Sequence, residues 1–134
     1  MANIGRTAAI CNCFASASAG VAASITFKRG GSDEKIKAAV KNVLAPLAGL
    51  LCDGAKPGCA LKMGLAVTQA ISAAVFALNN VEVRFYDGVA DGTLEYALKN
   101  LSVLAQQSQP VLETGMANIA LEKEARYKKV NCAK

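Results

Sequence analysis

Cysteines at positions 11, 52 and 59 are the residues of this 134-residue chain whose type and spacing could support catalysis. Cys52 and Cys59 flank a short loop that contains two glycines and a proline, residues that favour a tight turn. Thiolates are soft ligands that suit zinc and iron–sulfur clusters. The chain has no histidine, which excludes a mixed Cys/His zinc site. Three converging thiolates without a fourth protein ligand would leave one metal position open, as a catalytic site requires.

Cys13 lies two residues after Cys11, and both fall in a stretch that reads as a helix. Side chains two positions apart on a helix point roughly 200° apart, so the two thiols do not easily serve one metal. We expect one of them to be a ligand and the other a buried small apolar residue. A structural zinc site formed by Cys11, Cys13, Cys52 and Cys59 would complete a tetrahedral shell, but this helical phase argues against it.

Two charged residues near these cysteines could contact a substrate. Lys62 follows Cys59 by three residues and shares its helical face. It could hold a substrate carboxylate, or it could pack its stem at the helix start with its ammonium in water. Asp53 could act near the substrate or accept N–H bonds within its own turn. Spacing alone favours the structural role for both.

The elements that must position these residues are helical, and the sequence predicts an all-α domain of about five helices over residues 1–134, with one or two buried helices at its centre. The first helix covers 6–27 and presents a close-packing face of small residues. Ser32 caps a second helix that Pro46 kinks. The small residues of the first helix and the apolar positions of the second are Ala15, Ser18, Ala19, Ala22 and Ala23, and Ile36, Val40, Val43, Leu44, Leu47 and Leu51.

A third helix is predicted over 58–78, central and buried on all sides, with free N–H groups at its start beside Cys59. Residues 79–91 fit an ordered loop. Asp91 is predicted to cap a fourth helix over 92–107. Pro110 is then expected to break the chain before a last helix over 110–125.

Composition limits the classes of function. Hydrophobic residues make up 53% of the chain and charged residues only 19%, which indicates apolar surface buried against something outside this chain. The net charge of +5 is scattered, without interleaved aromatic residues, so nucleic-acid binding is not predicted. The uncharged stretch 63–78 is shorter than the roughly 20 residues that cross a bilayer, so a membrane span is not predicted either. Five cysteines without a secretory signal favour the cytoplasm and reduced thiols.

Three segments, in consistent order, resemble the L-cysteine desulfidase family, whose members are relatives of the iron–sulfur-dependent L-serine dehydratase α chain. The loop region, with the residues around it, is similar to the C-terminal signature of that family. The first helix is similar to its cysteine-bearing helix of small residues, and the fourth helix region to its later Asp-Gly-Ile/Val and Asn-Leu pattern. The matching segments are Leu50–Ala55 with Cys59–Met63, Ala9–Cys13 with the small residues up to Gly20, and Asp87–Val89 with Leu94-Glu95 and Lys99–Leu101.

The resemblance implies a [4Fe-4S] cluster held by Cys11, Cys52 and Cys59, with one iron open to a small amino-acid substrate, cysteine or serine. In such enzymes β-elimination gives aminoacrylate, which hydrolyses to pyruvate and ammonia. Asp53 and Lys62 match positions expected to bind substrate, and Cys132 resembles the C-terminal cysteine that could cap an open iron. The alternative for Cys132 is an incidental thiol in a disordered tail.

Members of that family are much longer than this chain and carry a substantial N-terminal portion that supplies much of the substrate pocket. The chain is therefore expected to need a missing N-terminal domain or partner subunit and to be inactive alone. The catalytic base is unknown and expected to lie elsewhere. Self-association into a homo-oligomer is compatible with exposed apolar helix. The alternative is a metal-free helical interaction or scaffold module derived from the same family.

Overall fold

The computed structural model describes residues 10–46, 50–52, 54, 56–84, 86–90 and 92–132. The predicted all-α class is confirmed. Among the described residues, four α-helices follow one another, α1 (Asn12–Lys28), α2 (Asp33–Leu44), α3 (Cys59–Leu78) and α4 (Leu94–Cys132), with a 3-10 turn at Gly88–Ala90 before the last. Extended structure among the described residues is limited to one antiparallel bridge between Ile10 and Leu51.

Helices α1, α2 and α3 pack against one another through small residues. The predicted small face of α1 is confirmed, since Ala15, Ser18, Ala19 and Ala22 are all buried. The buried face of α3 likewise consists only of alanines, and small residues allow helix backbones to approach closely. The buried residues of α3 are Ala66, Ala70, Ala73, Ala74 and Ala77. Alanine packing therefore forms the centre of the three-helix unit.

Helix α2 begins as predicted and ends earlier than predicted. The Ser32 hydroxyl accepts a hydrogen bond from the Lys35 backbone N–H at 3.5 Å. The helix stops at Leu44, and Pro46 lies in a 3-10 turn just after it. Proline has no N–H to donate to the preceding turn, so Pro46 ends the helix where a kink was predicted. Leu51 consequently leaves the predicted apolar face and is half exposed in the bridge.

A buried polar pair on α2 anchors the connection between α3 and α4. The Asn42 amide donates to the Val81 carbonyl at 2.9 Å, and its side-chain oxygen accepts from the Val83 N–H at 3.0 Å. The neighbouring Lys41 ammonium donates to the Gly92 carbonyl at 3.0 Å and pairs with Glu82 at 3.2 Å. The predicted apolar positions of α2 do not include this pair, because both residues are polar.

Helix α4 joins what the sequence predicts as two helices. It runs through Pro110 without a break, so the predicted interruption there is wrong. The residues around Pro110 are partly or fully exposed, and water can therefore solvate the carbonyl that proline leaves without a backbone donor. The start of α4 is capped by Thr93, whose hydroxyl accepts from the Tyr96 N–H at 3.3 Å. The predicted cap, Asp91, lies outside the described residues.

Helix α3 is not buried on all sides, contrary to the prediction. Its alanine face lies against α1 and α2, while large apolar side chains on the opposite face are exposed. The prediction is wrong because the sequence of an uncharged helix is the same kind of sequence whether or not the rest of the chain covers its second face.

Candidate functional site

Cys11 lies at the point where the first described segment enters the core. It occupies the N-cap position of α1, and only 7% of it is exposed. Its backbone N–H donates to the Leu50 carbonyl at 3.0 Å, beside the bridge between Ile10 and Leu51. This hydrogen bonding places the segment of Cys11 directly alongside the segment that leads to Cys52.

Cys13 takes a different position from Cys11, as the helical phase predicts. Its side chain is exposed in the first turn of α1, whereas Cys11 is buried. One metal shell containing both thiols is therefore disfavoured, and with it the zinc site of four cysteines. The buried member is therefore Cys11, the ligand that the resemblance implies, and Cys13 is not the buried small apolar residue that was predicted beside that ligand.

Cys52 and Cys59 are both half-buried, at the two ends of the loop. Cys59 is the first residue of α3, and its thiol donates to the Gly54 carbonyl at 3.7 Å across the loop. Gly54 has φ of +86°, a backbone conformation that glycine adopts without strain. The loop thus folds back towards the start of α3, as its composition predicts.

The N-terminus of α3 is not a free donor site, contrary to the prediction. The N–H groups of Cys59, Ala60 and Leu61 donate to the carbonyls of the preceding turn, residues 56–58, at 2.9 to 3.1 Å. A tight turn just before a helix takes up donors that otherwise remain without partners. Any anion at this end of α3 would have to compete with these bonds.

Lys62 connects α3 to the segment before Cys52. Its ammonium donates at 2.9 Å to the carbonyl of Leu51, the residue that pairs with Ile10. This contact is neither of the two predicted roles, in which the ammonium held a substrate carboxylate or lay in water, and it ties the start of α3 to the segment before Cys52. The other predicted substrate contact, Asp53, lies outside the described residues, and so does the side chain of Cys132.

The later matching segments also meet near Cys11. The Asn100 side chain donates to the Val89 carbonyl at 3.2 Å and thereby holds the Asp-Gly-Val turn on α4. Asp87 has a local role there, since its carboxylate accepts from the Arg84 N–H at 2.7 Å. Ala90 and Leu101 share one core cluster with Cys11. Segments that are distant in sequence therefore converge around this buried thiol.

The donor set suits a thiolate-held cluster in its chemistry, because all three predicted ligands are cysteines on neighbouring segments. Among the described residues, however, no three cysteine or carboxylate side chains form a group that could hold a metal ion. The backbone contacts that bring the three segments together are present, but the three sulfur atoms do not converge on one point. Cluster binding by these residues stays a prediction.

Comparison with known families gives the decisive observation on ancestry. The sequence matches the family described as serine dehydratase alpha chain over residues 1–118. The chain belongs to this family. The resemblance that the cysteine segments predicted is confirmed at that level, and the match spans every described element up to the middle of α4.

Curated relatives in this family are considerably longer. A UPF0597 protein of Desulforapulum autotrophicum is 40% identical over 122 residues, which cover 91% of this chain and 28% of that protein. The UPF0597 proteins of Caldanaerobacter subterraneus and Clostridioides difficile are 38% and 33% identical, over 92% and 86% of this chain and 29% and 27% of their own. The chain therefore spans less than a third of the length of these relatives. No solved structure matches.

Of the described helices, α3 is long and apolar enough to cross a membrane by length and composition, with 28% of its most apolar window buried. In this structure its alanine face packs on α1 and α2, as in a helix that belongs to a protein core. The Gln69 side chain also donates to the Asn42 carbonyl at 3.0 Å, which ties the middle of α3 to α2.

Proposed function

We propose that this chain is the cluster-binding portion of an iron–sulfur-dependent amino-acid lyase of the L-cysteine desulfidase or L-serine dehydratase type. Membership of the serine dehydratase alpha chain family supports the reaction class. The observation that carries the proposal is the hydrogen bond from the Cys11 N–H to the Leu50 carbonyl, 3.0 Å, beside the Ile10–Leu51 bridge. It joins two cysteine segments that are separated in sequence by two helices.

In this proposal Cys11, Cys52 and Cys59 hold a [4Fe-4S] cluster. When bound, the cluster would supply Lewis acidity towards the leaving thiol or hydroxyl of cysteine or serine. Cys11 would shield its side of the site from water, because it lies in the core with Phe14, Leu44 and Leu101. Lys62 would keep the Cys52 segment in register with α3 through the Leu51 carbonyl, and Asp53 would contact the substrate.

The catalytic base and most of the substrate pocket are assigned to the polypeptide that the relatives carry beyond the matched segment. The isolated chain is therefore expected to be inactive and to act with a partner domain or subunit in the cytoplasm. The alternative, a metal-free helical interaction module, is favoured by two observations. The described thiols do not form a metal-holding group, and a helix face is left exposed.

Anaerobic reconstitution with iron and sulfide tests the cluster. About four irons and four sulfides per chain are expected, with a visible absorption band that oxygen bleaches. Cys52→Ser should lower both metal and sulfide content severalfold. The matched control is Cys13→Ser, which should leave them unchanged because Cys13 is exposed in the first turn of α1.

Two results would contradict the proposal. Full cluster content in Cys52→Ser would remove that residue from the ligand set, and stoichiometric zinc without iron would return the structural zinc site. The reconstitution is run in parallel on a chimera, in which this chain replaces the matched segment of the Desulforapulum protein. A cluster that forms in neither protein would favour the metal-free module.

A further inference from the structure

In α3 the large apolar residues lie on the face opposite to the one expected for a helix on the surface of a complete domain. The face towards α1 and α2 carries only alanines. The opposite face carries the large apolar residues, with Leu65 53%, Ile71 49% and Phe76 50% exposed, and Leu61 and Val75 exposed as well. No charged residue interrupts this helix after Lys62. An exposed apolar surface of this kind marks an interaction site.

The centre of this outward face is flat. Gly64, Thr68 and Ser72 recur at four-residue spacing and so lie along one line of the helix. A side-chain carbon added to Gly64 would meet nothing within 4 Å, so the chain's own packing does not require glycine there. Glycine also weakens a helix relative to alanine. The Thr68 hydroxyl already donates to the Gly64 carbonyl at 3.3 Å, and it therefore needs no water.

A flat line of small residues flanked by large apolar side chains fits the surface of another helix. Small residues allow two helix backbones to approach closely, while the larger flanking side chains pack on either side of the incoming helix. The alanine face of α3 makes this kind of contact with α1 and α2. The outward face repeats the arrangement where the chain supplies no partner among its described residues.

We propose that the outward face of α3 is the docking surface for a helix of the polypeptide that family members carry beyond the matched segment. This chain covers 28% of the Desulforapulum protein, so most of that relative lies outside the match. In such relatives the segment and the remainder belong to one polypeptide, which keeps a docking helix at high effective concentration. The proposal rests on family membership and on α3, and it does not depend on the cluster.

Two other occupants are less favoured. A bilayer would contact the whole circumference of α3, whereas Gln69 is hydrogen-bonded to α2 and the alanine face is packed. A second copy of this segment would have to compete with the rest of the polypeptide, which family members carry in a one-to-one ratio with the segment. Both occupants are outcomes of the test below.

The main experiment compares Gly64→Ala in the isolated chain and in the chimera with the Desulforapulum protein. In the isolated chain we expect the melting temperature to rise by about 2–4 °C, because alanine favours the helix and space is open. In the chimera we expect it to fall, because the added methyl group separates the docked backbones. Gly115→Ala on α4, where space is equally open, is the matched control and should stabilise both proteins.

A second variant keeps the test decisive if the chimera does not fold. Ile71→Glu should leave the melting temperature of the isolated chain within about 2 °C, since the residue faces water. When the chain is co-expressed with the remaining Desulforapulum polypeptide, this variant should reduce copurification at least tenfold relative to the unmodified chain.

Three results would overturn the proposal. The first is equal stabilisation of the chimera by Gly64→Ala and Gly115→Ala. The second is an isolated chain that sediments as a dimer and becomes a monomer with Ile71→Glu, which would make the occupant a second copy. The third is binding of the chimera to phosphatidylcholine–phosphatidylglycerol vesicles that Ile71→Glu abolishes, which would make it a lipid surface. Iron content enters none of these readouts, so failure here is distinct from failure of the proposed function.

Discussion

Helices α2 and α3 pack on the same neighbour, α1, yet they divide their residues in opposite ways. Helix α2 turns Val43 and Leu44 inward and charged residues such as Lys37 outward, and Ser32 caps its start. Helix α3 turns alanines inward and large apolar residues outward, without a side-chain cap. The difference teaches that the apolar composition of a helix does not by itself indicate which of its faces the rest of the chain buries.

The largest expected effect comes from enlarging the inward face of α3. Ala70 is fully buried, so Ala70→Leu should lower the free energy of unfolding by about 2–3 kcal/mol through overpacking. The neighbouring Ile71 is exposed, and Ile71→Leu should change it by less than about 0.5 kcal/mol. Chemical denaturation of both variants measures the contrast. Equal destabilisation would mean that both sides of α3 are covered in solution.

The next effect concerns the polar contact between the two helices. Asn42→Ala removes the buried side chain that bonds Val81 and Val83 and leaves the Val81 carbonyl and the Val83 N–H, both in partly buried bonds, without that partner. We expect a loss of about 2 kcal/mol in the free energy of unfolding. The control is Asn79→Ala, because Asn79 is exposed and its side chain donates one turn back to Val75. If the two variants lose the same stability, the buried pair does not anchor the connection.

The smallest effect is the response of the helix starts to acid. The pKa of Glu34 in the folded chain is lowered below 4.5. The main cause is a hydrogen bond from the backbone N–H of Glu34 to its own carboxylate, and the second is a hydrogen bond from the Ser32 hydroxyl. A carboxyl group whose pKa is lowered by folding stabilises the folded chain at pH values above its ordinary pKa. That contribution is lost as the pH falls through the pKa of the folded chain. Amide chemical shifts in the first turn of α2 should therefore change below about pH 4.5. Glu34→Gln should remove most of this response.

Helix α3 is the internal comparison for that titration, because its first turn contains no acidic residue. Its amide signals should not follow the same curve. Glu95 at the start of α4 should behave like Glu34, since its own N–H and the Thr93 hydroxyl lower its pKa in the same way. A matching titration in α3 would indicate global unfolding by acid and not a local loss of capping.

The parts of the fold that were predicted are those that local rules decide. The Ser32 cap and the small face of α1 follow from side-chain chemistry and helical period, and both are confirmed. The family, too, was identified from segments whose residues now meet in one core cluster.

The parts that were mispredicted depend on surroundings that a sequence pattern does not contain. Pro110 is accommodated inside α4, where its neighbours are partly or fully exposed and water can reach the carbonyl that has lost its donor. The N–H groups at the start of α3 were expected to be free, but the turn before Cys59 uses them. Lys41 and Asn42 were missed because a buried polar residue is explained by its distant partners, Glu82 and Val83 among them.

The Ile10–Leu51 bridge has a consequence for the order of events in folding. It closes a loop that contains all of α1 and α2, and such closure carries an entropic cost that the enclosed helices must first offset by packing. Cys11 and Cys52 are therefore expected to become neighbours late, after the helices have docked. If these thiols hold the proposed cluster, metal that reaches the nascent chain earlier would find them apart, and cluster loading would then report on completed tertiary structure.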